Sequence, residues 1–237
     1  MVVWPKSSRA AISFTYDDGR ESQIDIAAVD LEEHGCRGTF FVTPSLYHVQ
    51  QRAADWTRIA QSGHEIGNHS FTHCLAYDTP AIFEQNQIGP AEQWINDNII
   101  YDTNRTYAYL GGGTKLDNGL DYTSVLEGVV LAARTGGGGP ATAVNATAAP
   151  LLIPACVGTW GNHTADACIR YIEEASTLDS GWAVLVFHDI FDGEPAEDSQ
   201  TSRKIHRQII EYAVNPDNKF WVAPFCEVYK YATSHNL

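Results

Sequence analysis

"GWAVLVFHDI", residues 181–190, decides the fold. From Gly181 to Phe187 no charge interrupts it, so an extended segment here is apolar on both faces. A strand buried on both faces belongs to a parallel sheet covered by helices; a half-exposed strand would alternate polar and apolar residues. The run stops at His188 and Asp189, which places two polar side chains at the C-terminal end of a strand.

Working outward, further strands read from "AAISFTY" (10–16), which ends at "DDG", and from "CRGTFFV" (36–42), which ends before Pro44. "HEIGNHS", "RTYAYL", "LEGVVLAART" and "KFWVAPF" continue the series. Between them lie helical patterns. "SQIDIAAVDLEEHG" puts Ile24, Ala27, Ala28 and Leu31 on one side and closes on Gly35; "ADWTRIAQSG" closes on Gly63. "ADACIRYIEEAST", "TSRKIHRQIIEYAV" and "CEVYKYATS" are further helices, and "TPAIFEQNQIGPAEQWINDN" is a helix interrupted at Gly89–Pro90. Residues 136–154 read as a long irregular loop, a kind of segment that is often functional. Strand–helix alternation implies a parallel sheet. About seven such units favour closure into a (β/α) barrel over an open sheet, one domain spanning 1–237. No G-x-G-x-x-G follows the first strand, which disfavours a dinucleotide fold.

The net charge of −14 makes nucleic acid and anionic membrane poor partners, since both need a basic face. No segment approaches the roughly 18 consecutive apolar residues of a membrane span. The N-terminus lacks the pattern of a signal peptide, so the expectation is a cytoplasmic protein, or a secreted one whose signal has been trimmed. The default oligomeric state is a monomer. Five scattered cysteines argue against a disulfide framework; Cys156 and Cys168 are the favoured pair if one bridge exists. Asn104, Asn145 and Asn162 open N-x-T sequons.

In a βα barrel, chemistry gathers at the C-terminal ends of the strands. Three polar clusters fall there: Asp17 and Asp18, then His69 and His73 in "NHSFTH", then His188. On a helix or helical turn, His69 and His73 would share one face and converge on one ion. By spacing alone they read as surface or packing histidines until a third ligand is found. One carboxylate of the Asp pair can supply it, which leaves an open N2O site suited to Zn²⁺, with Fe²⁺, Co²⁺ or Ni²⁺ also acceptable. The other carboxylate is then placed as a general base, and His188 as a proton donor on the opposite side.

"SFTYDDG", "GTFFV", "GHEIGNHSFTH" and "VLVFHDI" together resemble the polysaccharide deacetylases with a NodB-type domain, carbohydrate esterase family 4, and among them the chitin deacetylases. The resemblance runs from about residue 10 to residue 232. It implies a distorted NodB-type barrel and hydrolysis of the N-acetyl groups of N-acetylglucosamine units in chitin or chito-oligosaccharides. Peptidoglycan, acetylxylan or a small non-sugar amide or imide are the alternative substrates.

By position the resemblance makes Asp17 the catalytic base, Asp18, His69 and His73 the metal ligands, and His188 the general acid. His64 becomes structural, Asn68 and Ser70 shape a turn, and Val186 lines the acetyl pocket. The cofactor expected is Zn²⁺, or Co²⁺ or another divalent transition metal. The third motif departs from the family: "YAYLGG" (107–112) has Ala108 in place of the arginine that orients the base and Gly111 at the oxyanion-hole position. A Gly111 N–H can still donate. Arg134, at the end of the next strand, reads either as the replacement arginine or as a peripheral ion-pairing residue. Trp160 and Trp182 read either as walls of the groove or as core.

Overall fold

The computed structural model describes residues 2–156, 164–193 and 199–235. Strands β1 (Ala10–Asp18), β2 (Thr39–Val42), β3 (Glu65–Asn68), β4 (Thr106–Ala108), β5 (Ala132–Arg134), β6 (Ala141–Thr142), β7 (Gly181–Phe187) and β10 (Phe220–Val222) make the main sheet. Its order is β5-β4-β3-β2-β1-β7-β6, with β10 also on β1. All pairings are parallel except β6 with β7. The extended segment 153–156 completes the ring: Ile153 bridges Arg134 of β5 and Cys156 bridges Leu185 of β7. The architecture is the distorted (β/α) barrel expected. β8 (Asp189–Phe191) and β9 (Gln200–Ser202) form a separate small pair beyond the end of β7.

β1 is the axis of the molecule, and all nine of its residues are buried. Successive side chains point to opposite faces. Ala11 packs inward with Phe41, Ala108, Trp182, Val184 and Val186. Ser13 is inside as well, accepting from Trp182 Nε1 at 3.0 Å and donating to the Ala223 carbonyl at 3.0 Å. On the other face Ala10, Ile12, Phe14 and Tyr16 pack beneath the helical layer. That layer comprises α1 (Ala28–Glu33), α2 (Tyr47–Gln51), α3 (Ala53–Gln61), α5 (Gly89–Asn98), α7 (Ala165–Ser176) and α8 (Arg203–Val214). α6 (Ala143–Ala148) and α9 (Phe225–His235) pack in the cluster of Ala11, and α4 (Pro80–Phe83) sets Phe83 among Tyr107, Tyr109 and Tyr122.

α8 shows how the layer is fastened. His206, Ile209, Ile210 and Ala213 recur at helical spacing on its buried face. Asp30, wholly buried, receives Arg203 at 2.7 Å, Arg207 at 3.2 Å and His206 Nδ1 at 3.2 Å. His206 Nε2 meets the Tyr16 hydroxyl of β1 at 2.7 Å. Burial would raise the Asp30 pKa, but the bonds from His206 and Arg203 outweigh it and hold the carboxyl below its usual range.

The helix 80–98 is not interrupted at Gly89–Pro90. A π turn over Glu84–Ile88 joins α4 to α5, with the Gly89 N–H reaching back to Glu84. The ladder has already shifted register there, so the missing N–H of Pro90 is absorbed. The expected strand "LEGVVLAART" shortens to Ala132–Arg134: Gly128 has φ of 74° and the N–H groups of Val129 and Val130 both return to the Leu126 carbonyl, so the chain is still turning there. Residues 136–154 are not irregular throughout: they hold β6, α6 and the start of the closing segment. All five cysteines are free thiols, so no Cys156–Cys168 bridge is present. Trp182 is buried inside the barrel against Phe225, not on a groove wall. Trp160 and Asn162 lie outside the described residues.

His64 sits in the core. Its Nδ1 accepts from the Gly38 N–H at 3.0 Å and its ring packs edge-on against Phe40. Burial, then Arg37, lowers its pKa from 6.5 to about 4, against an opposing pull from Glu32. Because the unfolded chain takes the proton first, the stability tied to neutral His64 is whole above pH 6.5 and is lost as pH falls towards 4. The full loss is on the order of 3 kcal/mol. Denaturant midpoints between pH 7 and 4 should therefore fall more steeply for the wild type than for His64→Gln; parallel curves would show that His64 is not the group responsible.

Candidate active site

Each candidate side chain leaves the barrel at the C-terminal end of a strand. Asp17 and Asp18 end β1, His69 follows β3, Arg134 ends β5 and His188 follows β7. Together with Gly111, Gly112, Gly136 and Val186 they line one cleft of about 830 Å³.

His69 and His73 come together without a helix. The chain leaves β3 through a turn in which Ser70 and His73 have φ of 64° and 56°. Asn68 Oδ1 accepts from the Ser70 N–H at 2.7 Å and Ser70 Oγ from the His73 N–H at 3.0 Å. These side chains stand in for the helical bonds the spacing had implied, and the rings end 4.9 Å apart. Asn68 is itself held by Glu92 at 2.7 Å. The buried ring of His69 is oriented by Nδ1 against the Ala108 carbonyl at 2.9 Å, which leaves Nε2 facing the carboxylates.

Asp18 Oδ1 lies 3.6 Å from His69 Nε2 and 3.8 Å from His73 Nε2. The donor atoms of these three residues all fall within 4.8 Å of one another. One carboxylate and two imidazoles converging on a cleft fit a divalent transition metal and leave positions open for other ligands. The fit has a second sign. Burial lowers the His69 pKa, more than Asp17 and Asp18 raise it, and the neutral ring is the form that ligates a metal.

Asp17 points into the barrel beneath this cluster, its Oδ2 3.9 Å from His69 Nε2. Its Oδ1 accepts from Arg134 Nη2. The Arg134 guanidinium is buried 4.9 Å over the Phe41 ring. Burial would raise the Asp17 pKa, but Arg134, His69 and His188 overcome it and hold the carboxylate at about 2. Asp17 is thus an ionised acceptor with one oxygen clamped and the other turned to the cleft.

Gly111 and Gly112 follow β4 with φ of 57° and 74°. A Cβ at Gly112 would sit 2.5 Å from Gly136 Cα, so only glycine lets these two loops touch. His188 is half-buried on the wall that follows β7, the strand paired with β1, and lies within electrostatic reach of Asp17. Gln23 ties that wall to β1, its Nε2 donating to the carbonyls of Asp17 and His188. Neither Gln23 nor Arg20, which bonds Asp18, stands out in the sequence. The one signal was Arg20 lying directly after "DDG".

A family profile described as polysaccharide deacetylase matches residues 5–123. A gellan lyase from a Bacillus species is 21% identical over 247 residues, 98% of this chain and 10% of that protein. A peptidoglycan-N-acetylglucosamine deacetylase from Bacillus cereus is 29% identical over 90 residues, 38% of this chain and 32% of that one. The chain spans between a tenth and a half of the length of the curated relatives it matches. Among solved structures, a Mycobacterium smegmatis protein assigned to the polysaccharide deacetylases superposes with a TM-score of 0.72 at 18% identity, covering 100% of this chain and 94% of that one. A peptidoglycan N-acetylglucosamine deacetylase gives 0.63 at 19%, covering 95% and 90%. At these identities the likeness is one of fold.

Proposed function

The chain belongs to the polysaccharide deacetylase family, and from that premise we propose that it removes N-acetyl groups from N-acetylglucosamine units, with chitin and chito-oligosaccharides as the first substrates to consider. The observation that carries this reading is the convergence of Asp18, His69 and His73 beside an arginine-clamped Asp17. Peptidoglycan is the second substrate, favoured by the Bacillus cereus relatives named for it.

Asp18, His69 and His73 would hold a divalent metal, Zn²⁺ by donor set, with Co²⁺ a close alternative. When bound, the metal supplies Lewis-acid stabilisation of developing negative charge and makes water more acidic. Asp17 accepts the proton of the attacking water through the oxygen that Arg134 leaves open. Arg134 fixes that carboxylate and keeps it ionised. His188, on the β7 side of the cleft, gives a proton to the departing amine. Gly111 lines the cleft, and its N–H would donate to the oxyanion, a contact of a kind worth roughly 10²–10³ in rate. Val186, buried beneath the cleft, offers an apolar seat for the acetyl methyl.

Acetate release should be measured on N-acetylglucosamine oligomers of graded length, peptidoglycan, acetylxylan and a cyclic imide. Release from the oligomers that rises with length supports the chitin reading. Release from peptidoglycan alone moves the substrate there, and turnover of the imide alone would remove the polysaccharide reading.

A further inference from the structure

We infer that Arg20 holds Asp18 as a one-oxygen ligand and so sets which divalent metal the cleft selects. This rests on the metal-site reading above. β1 ends with Asp18 and Gly19 both at φ 76°, which turns the chain back on itself and lays Arg20 against the strand end. Arg20 Nε and Nη2 both donate to Asp18 Oδ2, at 3.1 and 3.0 Å. The other oxygen, Oδ1, faces the two imidazoles. The carboxylate is therefore divided, one oxygen for the guanidinium and one for the histidines.

Stability does not account for this arrangement. The Arg20 side chain is 42% exposed, and an ion pair of that kind contributes at most about 1 kcal/mol. Its consequence lies in denticity. A carboxylate with both oxygens free can chelate, which adds a coordination position and favours larger, oxygen-preferring cations such as Mn²⁺ or Ca²⁺. Two imidazoles and a single oxygen favour Zn²⁺ and Co²⁺ at low coordination number. With Oδ2 bonded twice, its lone pairs are both occupied, and chelation must first break a bond to Arg20. The arginine charge also repels any metal, but equally for all dications, so repulsion cancels in a ratio of affinities.

The test uses metal-stripped protein. Calorimetric titration gives Kd for Co²⁺ and Mn²⁺ in wild type, Arg20→Met and Arg20→Lys, and the visible spectrum of the Co²⁺ form reports coordination number. Arg20→Met should narrow the Co²⁺ to Mn²⁺ preference by about tenfold, in the range of changes to groups that orient a ligand. Its Co²⁺ band should weaken as coordination number rises. Arg20→Lys, which keeps the charge but not the paired donors, should fall between. An Arg20→Met protein with the wild-type ratio and spectrum overturns the inference and leaves the metal site standing. A wild type that binds neither metal, or binds equally well after His69→Ala, overturns the site and the inference with it.

Discussion

Asp17→Asn should lower the rate of acetyl release by about 10³-fold, within the 10²–10⁴ that a positioned general base contributes. Asparagine keeps the shape of the side chain and removes its power to take a proton. Asp18, His69 and His73 are untouched, so metal affinity should change little. The loss should fall on kcat rather than KM, because proton transfer happens in the transition state and not on binding. The variant also strands the buried Arg134 without its counter-charge. Breaking a buried pair from one side costs about 3–5 kcal/mol, so turnover must be compared at a temperature where both proteins are folded. An Asp17→Asn protein that is folded, metal-loaded and as fast as wild type would remove Asp17 from the chemistry.

Arg134→Met is expected to produce the second largest effect, and it acts through Asp17. With the guanidinium gone, the opposing influence of burial dominates and the Asp17 pKa climbs from about 2. More of the base is then protonated at low pH, so the acid limb of the rate profile moves to higher pH. The same one-sided loss of a buried pair costs about 3–5 kcal/mol of stability. Activity at neutral pH should fall roughly 10–100-fold, less than for loss of the base itself. Arg134→Lys keeps a cation beside Asp17 and should leave the acid limb near its wild-type position. A fall in stability with an unmoved pH profile would make Arg134 a structural residue only, and full activity in Arg134→Ala would return it to the periphery.

The site was more legible in the sequence than the route by which it is built. Asp17, Asp18 and His188 each follow a recognisable apolar run, and in a parallel barrel the ends of such runs gather on one rim. His69 and His73 show instead through their close spacing in "NHSFTH". A spacing of four in the histidine pair points to a helix. The turn that replaces the helix depends on Asn68 and Ser70 bonding to the backbone, and Asn68 in turn depends on Glu92, a contact across 24 positions. Residues 136–154 carry no periodicity, since their extended part is ordered by bridges to β5 and β7. Pro90 signals a break, and the π turn that absorbs it has no sequence signal as clear as a proline. Arg134 left two readings open; its place over Phe41 and against Asp17 is set by barrel closure, which brings the ends of β1 and β5 to one cavity.

Metal dependence of acetate release tests the central claim most directly. The protein would be stripped of metal, assayed on N-acetylglucosamine oligomers and then titrated with Zn²⁺ or Co²⁺, alongside His69→Ala. The account predicts no release from the stripped protein, recovery that saturates at one metal per chain, and no recovery in His69→Ala. Undiminished release from the stripped protein, or full recovery in His69→Ala, would contradict it.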